Sequence, residues 1–204
     1  MEVDATAKGN IMRGGEAYLR VNIIDVTKVC IMKKEWKTLA FCILIPLAVG
    51  TVAGLLSMGG MEDFMTMNQP PLSPPAWVFP VAWTMLYTLM GISSYLIYVS
   101  EPDIPQNGNS NISVNKNTKE NNGKSKALST YGYQLLVNFL WPVFFFNFQW
   151  YFFSFLWLAF LWILVAKMIL EFGEISRVAA LLNVPYLLWL SFAGYLNLGV
   201  WLLN

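Results

Sequence analysis

The chain has no histidine, and only two cysteines, Cys30 and Cys42, among its 204 residues. The missing histidine removes the commonest metal ligand and proton shuttle. Two cysteines are too few for a disulfide framework and read as small apolar side chains. Charge is scarce as well: 12% of residues are Asp, Glu, Lys or Arg, against about 25% in an ordinary soluble domain. A net charge of +1 gives no bulk attraction to nucleic acid or an acidic partner. No Ser-His-Asp set, phosphate-binding loop, metal-ligand cluster or tandem repeat is visible. Sustained alternation of period two is absent, which argues against a membrane barrel.

What is abundant is apolar surface. Hydrophobic residues make up 56% of the chain and aromatic residues 16%, more than a soluble chain of this length can bury. Five segments are apolar enough to be expected as membrane-spanning helices, about residues 39–57, 77–99, 127–147, 149–170 and 178–203. A span needs roughly 20 such residues, in a helix because lipid cannot satisfy open backbone groups. The expected fold is therefore all-α, an integral membrane bundle of five transmembrane helices. No Asp, Glu, His or Arg interrupts the middle of these segments, where ion-coupled transporters and proton pumps usually keep one. Residues 100–126, rich in Asn, Lys, Gly and Ser, are expected to be a flexible aqueous loop.

Five spans place all 13 Lys and Arg residues on one side of the membrane, with only Glu62 and Asp63 on the other. Basic residues favour the cytoplasmic side. The expectation is a multi-pass protein of the plasma membrane with its N-terminus inside and its C-terminus outside. The domain expected to carry function spans 37–204. Residues 1–36 read as an extension, because Met32 followed by "KKEWK" and an apolar run resembles a start of its own. The same order of charged and apolar residues also fits a signal peptide, but the apolar run is long enough to span.

The helices carry mixed aromatic and polar stripes. Phe79, Trp83 and Tyr87 recur every four residues, as do Pro185, Trp189, Ala193 and Asn197; Gln134, Asn138, Trp141 and Phe145 form a third stripe. Amides are costly in hydrocarbon unless paired, so these faces are expected to point inward. Interhelical packing would explain any single one; three together point to a lined cavity. Gly50 and Gly54 form a G-x-x-x-G, a spacing that lets helices approach closely. Pro142 and Pro185 each remove a backbone donor and can bend their helices.

Three stretches in order, "PPLSPPAWVFPVAWTMLYTLMGISSYLIY", "VNFLWPVFFF" and "PYLLWLSFAGYLNLGVWLLN", resemble the TspO/MBR family of tryptophan-rich sensory and translocator proteins. The resemblance covers about 37–204. It implies a five-helix bundle, often dimeric, with a ligand pocket under the loop that follows the first helix. That loop and the following entrance hold half of the chain's prolines, Pro70, Pro71, Pro74, Pro75 and Pro80, which would stiffen a lid. The implied ligand contacts are Pro74, Pro75, Trp77, Phe79, Trp83 and Tyr87 from the lid and second helix. Asn138, Trp141 and Phe145 would come from the third helix and Tyr186, Trp189, Ala193 and Asn197 from the fifth.

Porphyrins and haem are the ligands the resemblance implies; no cofactor is required. Where the family lid often has a lysine and a tryptophan, this chain has Gln69 and Leu72. The lid side then lacks any cation for a porphyrin carboxylate, and neutral or esterified tetrapyrroles are expected to bind at least as well as the free acids. The sterol-associated pattern is incomplete, since no Lys or Arg follows Tyr195. Gly132 has no second glycine four residues on, which leaves a family-like homodimer contact without its motif. The leading expectation is a receptor or sensor for a flat hydrophobic ligand. The resemblance also allows a light-dependent porphyrin-degrading catalyst using Trp83 and Trp189. A passive transporter of tetrapyrrole or lipid is a further alternative.

Overall fold

The computed structural model describes residues 36–100 and 110–204, and their side chains except those of Glu62, Met65 and 110–121. The expectations for residues 1–35 and for 101–109 lie outside the described residues. No strand occurs among the described residues. The chain order is α1 (Trp36–Leu56), α2 (Met58–Thr66), α3 (Val78–Val99), α4 (Ser110–Pro142), a single wide turn at Val143–Asn147, α5 (Tyr151–Ile175), α6 (Arg177–Leu182) and α7 (Val184–Leu203).

Among the described residues, four helices are long and apolar enough to cross a membrane: α1, α3, α5, and α6 with α7 taken as one rod, Arg177–Leu203. By length and composition alone, then, four of the five expected spans are seen. The segment that falls short is 127–147. Its hydropathy is diluted by Thr130, Gln134 and Asn138, all buried, so its polar groups are spent on neighbouring helices while its average looks less greasy than its outer surface. Of the expected loop 100–126, the part from Ser110 onward is helical instead and runs without a break into the buried part of α4. The helix propagates at one residue per added bond once its inner half is fixed.

The breaks follow from proline and caps. Pro142 ends α4, and the next turn is wound to i→i+5, with Phe148 N–H donating to the Val143 carbonyl at 3.1 Å. Such wide turns are tolerated where the regular ladder has already lost a donor. The α6–α7 joint lies at Asn183, whose Nδ2 donates to the Ala179 carbonyl at 2.9 Å and to Ser93 Oγ at 2.6 Å. Pro185, in the first turn of α7, needs no donor there. Ser176 caps α6, its hydroxyl accepting from Ala179 N–H at 3.3 Å.

Packing is uneven. The core gathers α3, α4, α5, α6 and α7, with Met90, Ile97, Gln134, Leu161, Val165, Met168, Phe172 and Tyr186 fully enclosed. In contrast, α1 buries only Pro46 and Ala53 of its 21 residues. It touches α3 closely at Gly50, where a Cβ would overlap the Tyr87 ring, and at a crossing where a Cβ on Gly91 would lie 2.6 Å from Ile43 Cα and 2.8 Å from the Cys42 carbonyl oxygen. That carbonyl is the one that Pro46, four residues on, leaves without a helical donor. A hollow remains between α1 and the rest.

Candidate functional site

The hollow is a cavity of about 590 Å³, within the usual range for small-molecule sites. Its walls are α1 (Leu47, Gly50, Thr51, Ala53, Gly54), α3 (Phe79, Trp83, Thr84, Tyr87), α4 with its wide turn (Asn138, Trp141, Phe145, Phe146) and α7 (Ala193, Leu196, Asn197, Val200). The short helix α2 closes one end with Met58, Met61 and Phe64. Among the described residues, none of the lining side chains is charged.

Aromatic rings build two of the walls. Trp83 stacks on Tyr87 with centroids 5.4 Å apart, and Trp141 stacks on Phe145 at 5.2 Å. Phe64 meets Phe145 and Phe146 edge-on at 5.6 and 5.7 Å. The wide turn after Pro142 is what brings Phe145 and Phe146 to the same hollow. Polar groups are few and mostly engaged. Asn138 Nδ2 donates to the Tyr87 hydroxyl oxygen at 3.0 Å. The Asn197 amide, oriented to match its neighbours, donates to the Tyr151 carbonyl at 2.8 Å and accepts from Trp141 Nε1 at 3.2 Å and Phe155 N–H at 3.3 Å. Ser57 Oγ, 2% exposed as a residue, has no partner.

Eight of the residues expected at a site meet here: Phe79, Trp83, Tyr87, Asn138, Trp141, Phe145, Ala193 and Asn197. Five lie elsewhere. Pro74 and Pro75 line a side pocket of about 230 Å³ that shares Met61, Phe64, Ala76 and Phe79 with the main cavity. Trp77 is 67% exposed. Tyr186 is fully buried behind Trp83, edge-on at 6.2 Å, and donates to Gln134 Oε1 at 3.2 Å. Trp189 touches Trp83 and Phe79 edge-on at 6.5 and 6.1 Å, but from behind: it lines an outer groove with Ala82, Met85, Pro185 and Phe192.

Helical phase explains Trp189. Steps of four residues overshoot one turn of a 3.6-residue helix by about 40°. Along Pro185, Trp189, Ala193 and Asn197 that drift accumulates, and burial rises from exposed through half-buried to buried. The α4 stripe steps by four, three and four, which cancels most of the drift, and Gln134, Asn138, Trp141 and Phe145 are all buried.

The α1 wall was missed by sequence reasoning as a ligand surface. Its only signal was the glycine pair, and the two glycines do different things. A Cβ on Gly50 would overlap the Tyr87 ring, so this one permits close approach; a Cβ on Gly54 would meet nothing within 4 Å, so this one leaves room. The contribution of α2 had no signal, because Gly59 and Gly60 interrupt any periodic pattern. Gly60 is needed there, as a Cβ would overlap the Phe146 carbonyl.

A lid is seated over this end. Asn68 N–H donates to Asn204 Oδ1 at 3.1 Å, and Asn204 Nδ2 donates back to the Asn68 carbonyl at 3.0 Å. The Tyr195 hydroxyl donates to the Pro71 carbonyl at 2.7 Å. Pro70 lies against Gly199, where a Cβ would come within 2.6 Å of the proline ring. On the other flank, Asn147 Nδ2 donates to the Leu56 carbonyl at 2.9 Å and Gln149 Nε2 to Asp63 Oδ2 at 3.2 Å. Leu72, at the loop's crest, is 82% exposed and has φ of 68°.

Known proteins share this pattern. The TspO/MBR family model matches residues 42–202. A tryptophan-rich protein TspO from Chlorobaculum tepidum is 31% identical, covering 85% of this chain and 99% of that protein. A translocator protein homolog from Schizosaccharomyces pombe is 32% identical, over 85% of this chain and 94% of its own length. A tryptophan-rich sensory protein from Cereibacter sphaeroides is 29% identical, over 85% and 95%. With the match running from the first helix to the last and enclosing the aromatic hollow, the chain belongs to the TspO/MBR family.

Proposed function

We propose that this protein is a membrane receptor that holds a flat, uncharged, hydrophobic ligand, a tetrapyrrole in particular, in the cavity between α1, α3, α4 and α7. The observation that carries this reading is a hollow of about 590 Å³ walled by stacked rings and, among the described residues, free of charged side chains. Flat rings gain from offset or edge contact with such walls, about 0.5–1.5 kcal/mol per aromatic pair beyond area burial. The Tyr87–Asn138 pair and Ser57 Oγ offer hydrogen bonds to a ligand's polar edge. The names of relatives, translocator protein homolog and tryptophan-rich sensory protein, support a sensing or carrying role.

In this reading 127–147 is a fifth span. Its Gln134 and Asn138 are 0 and 1% exposed and would never meet lipid. Five spans put every Lys and Arg on one side, the cytoplasmic one, with the lid on the other.

Titration in nanodiscs with protoporphyrin and its dimethyl ester, followed by tryptophan quenching, tests the proposal. Saturable quenching by both is expected, with the ester at least as tight, weakened by Trp83→Phe. Quenching no greater than in empty nanodiscs would end this reading. Trp83 and Trp189 in ring contact at 6.5 Å favour a second one, in which the indole pair assists light-driven oxidation of porphyrin by dissolved dioxygen, which takes up the electrons. Light-dependent loss of porphyrin absorbance that disappears in Trp83→Phe, with none in the dark, would establish it.

A further inference from the structure

A second groove lies at the basic end of the bundle and shares no lining residue with the ligand cavity. It also encloses about 590 Å³ and sits where α1 faces α3 and α4, on the basic side of the Ile43–Gly91 crossing. Its walls are Phe41 and Ile45 from α1, Tyr98 from α3, and Leu128 and Tyr131 from α4. We propose that this groove binds an anionic phospholipid of the adjoining leaflet, with an acyl chain between the helices and the phosphate at Lys37.

Three observations carry the proposal. First, among the described residues Lys37 is the one charged residue in the groove's lining, it is exposed, and no described carboxylate lines the groove. The charge sits at the mouth of an apolar slot, where a lysine stem can lie along the wall and its ammonium reach the headgroup level. Second, the cations of α4 and α5 divide by helix face. Lys126 and Lys167 converge on Glu171, at 3.3 and 3.8 Å. Lys124 precedes Leu128 by four residues and Tyr131 by seven, which puts it on the groove face of α4. Neither Lys124 nor Lys37 has an ion pair among the described residues. Lys37 and Lys124 thus present positive charge that no described carboxylate pairs with, the pattern that selects acidic headgroups.

Third, one polar group in the groove's lining is poorly satisfied by the protein. Tyr131 is 9% exposed, and its hydroxyl, near Ser94, makes no hydrogen bond of good geometry among the described residues. Ser94 beside it in the lining donates to the Gly91 carbonyl of its own helix at 2.9 Å. A chain of pure hydrocarbon would leave that hydroxyl unpaired; the glycerol ester carbonyl of a lipid supplies an acceptor a few bonds from the phosphate. Cation, apolar slot and hydroxyl thus line one groove, the three kinds of contact that headgroup, acyl chain and ester of one lipid would use.

The test is native mass spectrometry of the full chain with phosphatidylglycerol and phosphatidylcholine of identical acyl chains. Thermal unfolding serves as the check on folding. Phosphatidylglycerol is expected to be retained in preference to phosphatidylcholine. Lys37→Gln should cut that preference by about fivefold, the effect of one basic residue at an anionic surface. Ile45→Trp, at a half-open position that can accept a larger ring, should reduce retention of both lipids. Arg177→Gln, on the same side but outside the groove, should change neither. Equal retention of the two lipids overturns the proposal, as does a Lys37→Gln effect no larger than that of Arg177→Gln. Two further results would also overturn it, because each names another occupant: Ile45→Cys cross-linking quantitatively to a second copy, or removal of residues 1–31 raising lipid retention.

Discussion

The two ends of the bundle use the same side chains to opposite effect. Toward the basic end, among α3, α5, α6 and α7 and the inner face of α4, amides and hydroxyls are spent on one another; the Tyr131 hydroxyl in the groove beside α1 is an exception. Tyr186 donates to Gln134, Asn183 to Ser93, and Ser93 to the Ala179 carbonyl at 2.7 Å. Met90, Met168 and Phe172 fill the space among those helices, each 0% exposed, and the groove of that end lies outside this core, against α1. Toward the lid end, Tyr87, Asn138, Trp141 and Phe145 are of the same kinds, yet they face a hollow. The difference is made by small residues: Gly50, Ala53, Gly54 and Ala193 stand where the solid end has Leu, Met and Phe. Composition sets what a wall is made of, and side-chain volume decides whether a space is left behind it.

The largest effect is expected from erasing this difference. Gly54→Leu puts a side chain into open space and should lower ligand affinity at least about tenfold, about 1.4 kcal/mol, without loss of thermal stability. Nanodisc titration and melting together check both halves. If the variant binds normally, the hollow at the lid end is not where the ligand sits.

The next effect belongs to the solid end. Gln134→Ala strips the acceptor from a fully buried tyrosine hydroxyl and should destabilise by about 1–3 kcal/mol, measured by thermal unfolding in detergent. Ligand affinity, judged after correcting for the folded fraction, should stay within about twofold, a few tenths of a kcal/mol. An affinity loss as large as that of Gly54→Leu would show that the ends are coupled.

Smaller effects concern the boundary of the cavity. Tyr195→Phe removes one lid hydrogen bond, worth about 1 kcal/mol. Backbone amides of 67–73 should then exchange several-fold faster, read by hydrogen exchange, while the solid end is unchanged. Smallest of all, Trp189→Phe keeps an aromatic ring behind Trp83 and should weaken ligand binding by less than about threefold, under 0.7 kcal/mol. Trp83→Phe, in the wall itself, should weaken it more.

The helices and the inward stripe of α4 were legible because their signals are strong: long apolar runs, and amides that lipid would not tolerate. What was less legible came from small errors of phase and volume. A run of four-residue steps made Pro185 and Trp189 look like cavity walls, although a helix turns past them before reaching Ala193. The pair Gly50 and Gly54 was readable as a contact motif, but nothing in its spacing says that one glycine meets a ring and the other meets empty space. The length of α4 was hidden because Asn-rich, Lys-rich sequence reads as loop unless it is continued by a buried helix. The family motifs named the right stretches; they could not assign Trp77, Tyr186 and Trp189 to positions outside the hollow.

The paired hydrogen bonds between Asn68 and Asn204 tie the loop above the hollow to the tip of α7. If the proposed ligand sits in the hollow, its dwell time is expected to depend on whatever is attached beyond that tip. A fusion partner or affinity handle following Asn204 that tugs its amide away would shorten occupancy while leaving every wall residue intact, and dwell times measured on such a fusion would differ from those of the unextended chain.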